Sequence, residues 1–306
     1  MSKKIANYRQ ITERLATDGK RILSVGAAQD RELLESVSEA SRVAQIEAVL
    51  FGDGKKIERI LSEISFHGNA MIVNVEDDVE ATRAAVQSVR EGRAHVLMKG
   101  QVNTSDFMRA VLDVEIGLRT GRLLSHLASF ELPHLDRLLF VTDGGINIAP
   151  GLGEKKEILV NALLGLRALG YETPKVAVLT ANEQVNPKAP ATVDAAEITG
   201  AWKAGEFARY AADCVVEGPI ALDVALSKEA ALHKGIVSEI AGRVDLFLVS
   251  SIEVGNVLGK SMASIAKAKM AGVVLGAAAP IVLTSRAENA ESKLHSIVLA
   301  TACAAK

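Results

Sequence analysis

The chain has 306 residues, 49% hydrophobic and only 4% aromatic, with a formal net charge of −2. That length suits two domains, and an aliphatic, aromatic-poor composition suits a helix-rich α/β protein with a close-packed core. Charges of both signs are spread along the chain without a basic block or a basic amphipathic stretch, which speaks against nucleic-acid and membrane partners. The scarcity of aromatic rings also argues against a base-stacking surface.

The start, MSKKIANYRQITERLA, is polar and helical in pattern and does not read as a secretory signal. From there short β-type runs alternate with amphipathic stretches. Strands are expected at 21–25, 46–51, 70–75 and 94–98, followed by helices near 29–42, 54–63, 78–91 and 104–118. The segment RLLSHLASFELP, 122–133, interrupts the alternation and is expected to be a domain break. A strand at 138–142 then leads to a helix near 153–169 stopped by Gly170, and a strand at 175–180 leads to a helix near 192–209. Strands at 214–217 and 244–250, a helix near 256–270, a strand at 280–283 and a helix from 287 onward complete the pattern. Such alternation implies two-domain, three-layer α/β architecture with largely parallel sheets. A first domain is expected over 1–129, rejoined by 272–306, and a second over 130–271.

The longest apolar run, MAGVVLGAAAPIVLT at 270–284, is too short to span a bilayer and contains Gly and Pro. Cys214 and Cys303 lie in apolar surroundings without metal spacing and are expected as reduced core residues of a cytoplasmic protein. The six histidines are scattered, and no metal site is expected.

Ligands of open parallel sheets bind at the carboxyl ends of the strands, so the strand-end loops hold the candidates. KGQVNTSD, 99–106, offers Lys99, a turn at Gly100, and Asn103 and Thr104 as donors to an anion, although Thr104 or Ser105 has the alternative duty of capping the next helix. In DGGINIAPGLGEKKE, 143–157, Asp143 and Asn147 are candidates for facing a cleft, against ordinary turn chemistry; the loop has neither P-loop nor dinucleotide-binding spacing. In EVGNVLGK, 253–260, Gly255 permits a turn, Asn256 can cap or bind, and Lys260 follows one helical turn later. In TSRAENAESK, 284–293, Ser285 and Glu288 have capping-box spacing, yet Arg286 is a cation at the positive end of the expected helix. The alternative is an anion held jointly by the helix start, the serine hydroxyl and the bidentate guanidinium.

The stretches KGQVNTSDFMRAVL, RLLSHLASFELP, FVTDGGINIAP, VEGPIALDVA, AGRVDLFLVSSIEVGNVLGK and PIVLTSRAENAESKL resemble, in order and style, the phosphate acyltransferases, and the phosphate butyryltransferase branch more than the acetyl branch. The resemblance implies reversible transfer of an acyl group between coenzyme A and phosphate. It further implies an isocitrate/isopropylmalate-dehydrogenase-like pair of α/β domains with the active-site cleft between them, and a homo-oligomer, commonly a dimer. CoA, acyl-CoA, phosphate and acyl phosphate would be the ligands, with no tightly bound cofactor. The family's Ser-Arg motif falls on Ser285 and Arg286, and its Gly-Asn motif on Gly255 and Asn256. Where the acetyl branch places an aspartate proposed as catalytic base, seven residues after the motif serine, this chain has Ser292, with Glu291 just before it. His126 and Glu291 are therefore both candidates for the base that takes the CoA thiol proton. No covalent acyl-enzyme is required, because a thiolate can attack a well-positioned acyl phosphate directly.

Overall fold

The computed structural model describes residues 5–284 and 288–304. In chain order its elements are α1 (Tyr8–Leu15), β1 (Arg21–Gly26), α2 (Arg31–Ala44), β2 (Ile46–Gly52), α3 (Gly54–Glu63), β3 (Ala70–Asn74), α4 (Asp78–Arg90), β4 (Val96–Lys99) and α5 (Thr104–Val111). There follow β5 (Ser125–Glu131), β6 (Leu138–Thr142), α6 (Leu152–Ala168), β7 (Lys175–Leu179), α7 (Pro190–Lys203), β8 (Val215–Ile220), α8 (Leu222–Leu226) and α9 (Lys228–His233). The last are β9 (Leu246–Leu248), α10 (Ile252–Ser264), β10 (Lys269–Leu275), β11 (Ile281–Val282) and α11 (Ala290–Cys303). The chain divides into two compact units, Met1–Ala6 with Leu123–Lys269, and Asn7–Arg122 with Met270–Lys306.

In the second of these units the strands run β3-β2-β1-β4-β11-β10. They are parallel except for the antiparallel pair β10 and β11, joined at Val274 and Ile281. α1, α2 and α11 pack on one another, and α4 packs on β1, β2 and α5. The helices form where apolar residues recur at helical spacing behind a capping side chain. Asp30, for example, accepts from the Leu33 amide at the head of α2, whose Leu33, Leu34, Val37, Ala40 and Ala44 are buried. In the other unit the order is β5-β6-β9-β7-β8, parallel except between β5 and β6. α6 and α10 pack on β5 and β6, and α7 packs on β7 and β8. Largely parallel α/β sheets are as expected.

Several boundaries differ from expectation. The break expected near residue 129 falls inside β5, which pairs with β6 from Leu127–Thr142 to Glu131–Leu138, so the units divide before that strand. α5 stops at Val111 instead of running to 118, because the Asp113 carboxylate accepts from the Glu115 and Ile116 amides and closes a turn there. The apolar run 270–284 is two antiparallel strands, turned by the segment between Gly276, at φ 99°, and Pro280. α10 begins at Ile252 and ends at Ser264, and α7 ends at Lys203. α11 begins at Ala290, where Asn289 is the N-cap and accepts from the Ser292 amide at 2.9 Å. The capping box expected from Ser285 and Glu288 is therefore not the start of this helix. Ser285 and Arg286 themselves lie outside the described residues.

Candidate active site

The loop after β4 is organised by a buried cation. Lys99 is 8% exposed, and its Nζ donates to the carbonyls of Val102 at 2.8 Å and Gly100 at 3.1 Å. The Gly100 and Gln101 amides donate in turn to Gly26 and Ala27 at the end of β1. A Cβ on Gly100 would fall 2.1 Å from the Ala27 carbonyl oxygen, so only glycine fits. Ala27 has φ 55°, a left-handed conformation that costs a non-glycine residue energy and turns its carbonyl toward this loop. At the end of the loop Asn103 is the N-cap of α5, yet its exposed side chain makes no bond to the first turn. Thr104 is the first helical residue and is also exposed, so neither Thr104 nor Ser105 is the cap. The loop thus presents amide and hydroxyl groups at a helix start, an arrangement suited to an anion.

The loop after β6 has the reverse construction. Asp143 is 2% exposed and its carboxylate accepts from the amides of Gly145 at 2.8 Å, Ile146 at 3.0 Å and Asn147 at 3.2 Å, and from Asn147 Nδ2 at 2.7 Å. Asn147 Nδ2 also donates to Leu124 O at 2.8 Å. Of the two readings open for these residues, a cleft-facing role and turn chemistry, the hydrogen bonds show the second: Asp143 organises the loop and Asn147 ties it to the approach of β5.

β5 brings His126 against this loop. A Cβ on Gly145 would lie 3.1 Å from His126 Cγ and 3.2 Å from Nδ1, so the absence of a side chain at 145 makes room for the ring. The Nδ1 atom is enclosed without a hydrogen-bond partner among the described residues, while the residue as a whole is half-buried. Burial pushes the imidazole below its usual pKa, and the Asp143 charge opposes that shift.

α10 meets the same loop through a close approach of two glycines. A Cβ on Gly255 would fall 2.6 Å from Gly144 Cα, and one on Gly144 2.8 Å from Gly255 C. Gly255 and Asn256 are thus inside the first two turns of α10 and not in a turn before it, since the N-cap is Ser251. Asn256 is exposed, with a long contact of 3.4 Å from Nδ2 to Gly144 O, and Lys260 is exposed one turn further on.

Glu291 stands exposed in the first turn of α11. Beside it is a residue that the sequence pattern did not bring out, Lys293. It is buried, and its Nζ donates to Glu32 on α2 and to the Glu288 carbonyl, each at 2.7 Å. A lysine within the apolar part of α11 was the signal available for it. Cys214 is buried, and burial raises both thiols above their usual range, Cys303 to about 12, which disfavours the thiolate form. Among the described residues no group of three or more His, Cys, Asp or Glu is placed to hold a metal ion, and no helix is long and apolar enough to cross a membrane.

Residues 75–301 match the family model described as Phosphate acetyl/butaryl transferase. A phosphate butyryltransferase of Clostridium acetobutylicum is 42% identical over 297 residues, 97% of each chain. A phosphate acetyltransferase of Thermotoga maritima is 40% identical over 95% of this chain and 97% of its own. Among solved structures, a branched-chain phosphotransacylase from Enterococcus faecalis is similar with a TM-score of 0.80 and 32% identity, covering 92% of this chain and 98% of that one.

Proposed function

This chain belongs to the phosphate acetyl/butyryl transferase family, and from that premise we propose that it moves a short-chain acyl group reversibly between coenzyme A and phosphate. Butanoyl-CoA and phosphate would give butanoyl phosphate and CoA. The observation that carries the reading is the relationship to a phosphate butyryltransferase over 97% of both chains.

The chemistry requires the phosphate charge to be neutralised and the carbonyl oxygen to be held as it becomes anionic. Arg286 and Ser285, on the family's Ser-Arg motif, take the first duty, with Asn103 and Thr104 at the head of α5 as further donors. Lys99 serves this site indirectly, by shaping the loop that presents them. For the oxyanion Ser285, Thr104 and Asn256 are the candidate donors, each able to contribute roughly 3–4 kcal/mol in the transition state. Lys260, one turn from Asn256, offers a cation to an anionic substrate. Transfer is direct, in a ternary complex, and no tightly bound cofactor takes part. A cytoplasmic homo-oligomer, a dimer or larger, belongs to the same reading.

The test is a panel of acyl-CoA substrates with phosphate, following release of the free thiol. Butanoyl-CoA and its C3–C5 neighbours should react faster than acetyl-CoA at matched concentration, in a graded way, because one methylene is worth only about 1–3 kcal/mol in an apolar pocket. The second reading, a phosphate acetyltransferase, is favoured by the 40% identical relative of that name; markedly faster turnover of acetyl-CoA would establish it. CoA binding without turnover of any acyl-CoA would instead identify a non-catalytic CoA-binding protein.

A further inference from the structure

The acid–base step lacks an obvious owner, because Ser292 stands where the acetyl branch has its aspartate. Glu291 is exposed in the first turn of α11. The loop after β6, by contrast, surrounds one imidazole. We infer that His126 is the general base of acyl transfer, taking the thiol proton of CoA at Nε2 while the Asp143 carboxylate of the adjacent loop stabilises the imidazolium that forms. This rests on the acyltransferase reading above.

Three features support the assignment. The ring is seated by design: residue 145 is glycine where any side chain would press on Cγ and Nδ1. Nδ1 is enclosed and has no hydrogen-bond partner among the described residues, which leaves Nε2 as the nitrogen for proton exchange in a residue that is half-buried as a whole. Finally, the Asp143 carboxylate, fixed by four N–H donors, places its negative charge on the loop that faces Nδ1. A negative charge there favours the tautomer with its proton on Nδ1, which leaves the Nε2 lone pair free to accept.

Other charged groups on the elements packed against β5 are engaged or exposed. On α6, Lys155 pairs with Asp194, Glu157 accepts from the Leu123 amide, Lys156 pairs with Glu206, and Glu154 caps its own helix through Gly151 N. On α10, Glu253 and Lys260 are exposed. Glu131, at the far end of β5, is opposite Leu138. Among the described residues, Asp143 is the charge that acts on the ring.

In the direction of thioester synthesis the step balances as follows. His126 Nε2 takes the proton of the S–H bond, and the thiolate attacks the carbonyl carbon of the acyl phosphate. The C–O bond to phosphate breaks, the electron pair leaves with the phosphate oxygen, and the imidazolium returns its proton to that oxygen, giving the thioester and hydrogen phosphate. A resting imidazole kept neutral by burial is ready to accept at neutral pH, where an unaided thiol of pKa about 8.5 is only a few per cent ionised.

The experiment measures kcat/KM for CoA with butanoyl phosphate from about pH 6 to about pH 9.5, in the wild-type protein and in His126→Gln. The wild-type rate should level off above a bend below the ordinary imidazole pKa of about 6.5. The variant should be about 10²–10⁴-fold slower at neutral pH. Its rate should climb about tenfold per pH unit until the thiol ionises near ~8.5, so that the gap to wild type narrows by roughly 30-fold between neutral pH and the plateau. Two curves of the same shape, displaced or superposed, would overturn the inference, since a residue that only shapes the loop lowers the rate equally at every pH. Should the variant not fold, the wild-type curve alone decides: continued climb to ~8.5 overturns His126 as base. A wild-type protein that forms no thioester overturns the acyltransferase reading itself, and this inference with it.

Discussion

The loops that follow β4 and β6 solve the same problem with opposite polarity. After β4 a buried ammonium, Lys99, gathers carbonyl oxygens; after β6 a buried carboxylate, Asp143, gathers amide hydrogens. A buried charge is tolerated only when its hydrogen-bonding capacity is met, and backbone groups of each loop contribute to meeting it. The consequence differs. The Lys99 loop uses up acceptors and leaves the donors of Asn103 and Thr104 facing outward, which suits a phosphate. The Asp143 loop turns the Gly145, Ile146 and Asn147 amides inward, and what it offers is a fixed negative charge beside His126.

The largest effect expected from breaking this contrast is Asp143→Ala. Several partly or fully buried N–H groups would lose their acceptor at about 1–3 kcal/mol each, giving a loss of roughly 3–5 kcal/mol. A urea midpoint shifted by that amount at unchanged slope would establish it, and a shift under ~1 kcal/mol would mean that the loop holds itself without the carboxylate. Lys99→Met keeps the apolar stem and removes the donor, and should cost about 2–3 kcal/mol, with a raised KM for phosphate as the α5 start loses its support. If stability falls while phosphate KM stays fixed, the loop is unconnected with the anion.

Asn289→Ala should cost about 1 kcal/mol through loss of the N-cap of α11. Ser285→Ala serves as the control, with no such loss expected, because Asn289 and not Ser285 caps that helix. A larger drop in melting temperature for Ser285→Ala than for Asn289→Ala would reverse that assignment. A small stability effect, below about 0.5 kcal/mol, belongs to Asn103→Ala, whose side chain makes no capping bond. Its effect should appear in phosphate KM instead, as a several-fold rise with kcat nearly unchanged. A stability loss of a full cap, about 1 kcal/mol, would show that Asn103 serves the helix.

Legibility varied along the chain. Between residues 21 and 111 the strands and helices were readable because each buried face leaves a short-range periodic trace. β5 was not, since SHLASFE sits between turn-forming segments and its partner β6 is antiparallel, outside the alternation that exposed the other strands. β10 was hidden in one continuous apolar run with β11, where periodicity gives no boundary. At the site, the loops were identifiable from Gly, Asn, Ser and charged residues at strand ends. The duties of their members were not: nothing in the sequence shows that Lys99 and Asp143 hold backbone groups of their own loops.

The amino-acid pattern by itself determined the α/β class, the strand-end position of the polar loops and, through its ordered motifs, the family. Those properties are local, written in spacing of two and 3.6 residues and in short runs. Tertiary structure decided what faces what. Gly144 and Gly255 are 111 positions apart in sequence yet approach so closely that neither can carry a Cβ, and His126 meets Gly145 only because β5 turns back along β6. Contacts of that kind depend on how whole elements pack, and a residue's burial and partners, which set its chemistry, follow from the packing and not from its neighbours in the chain.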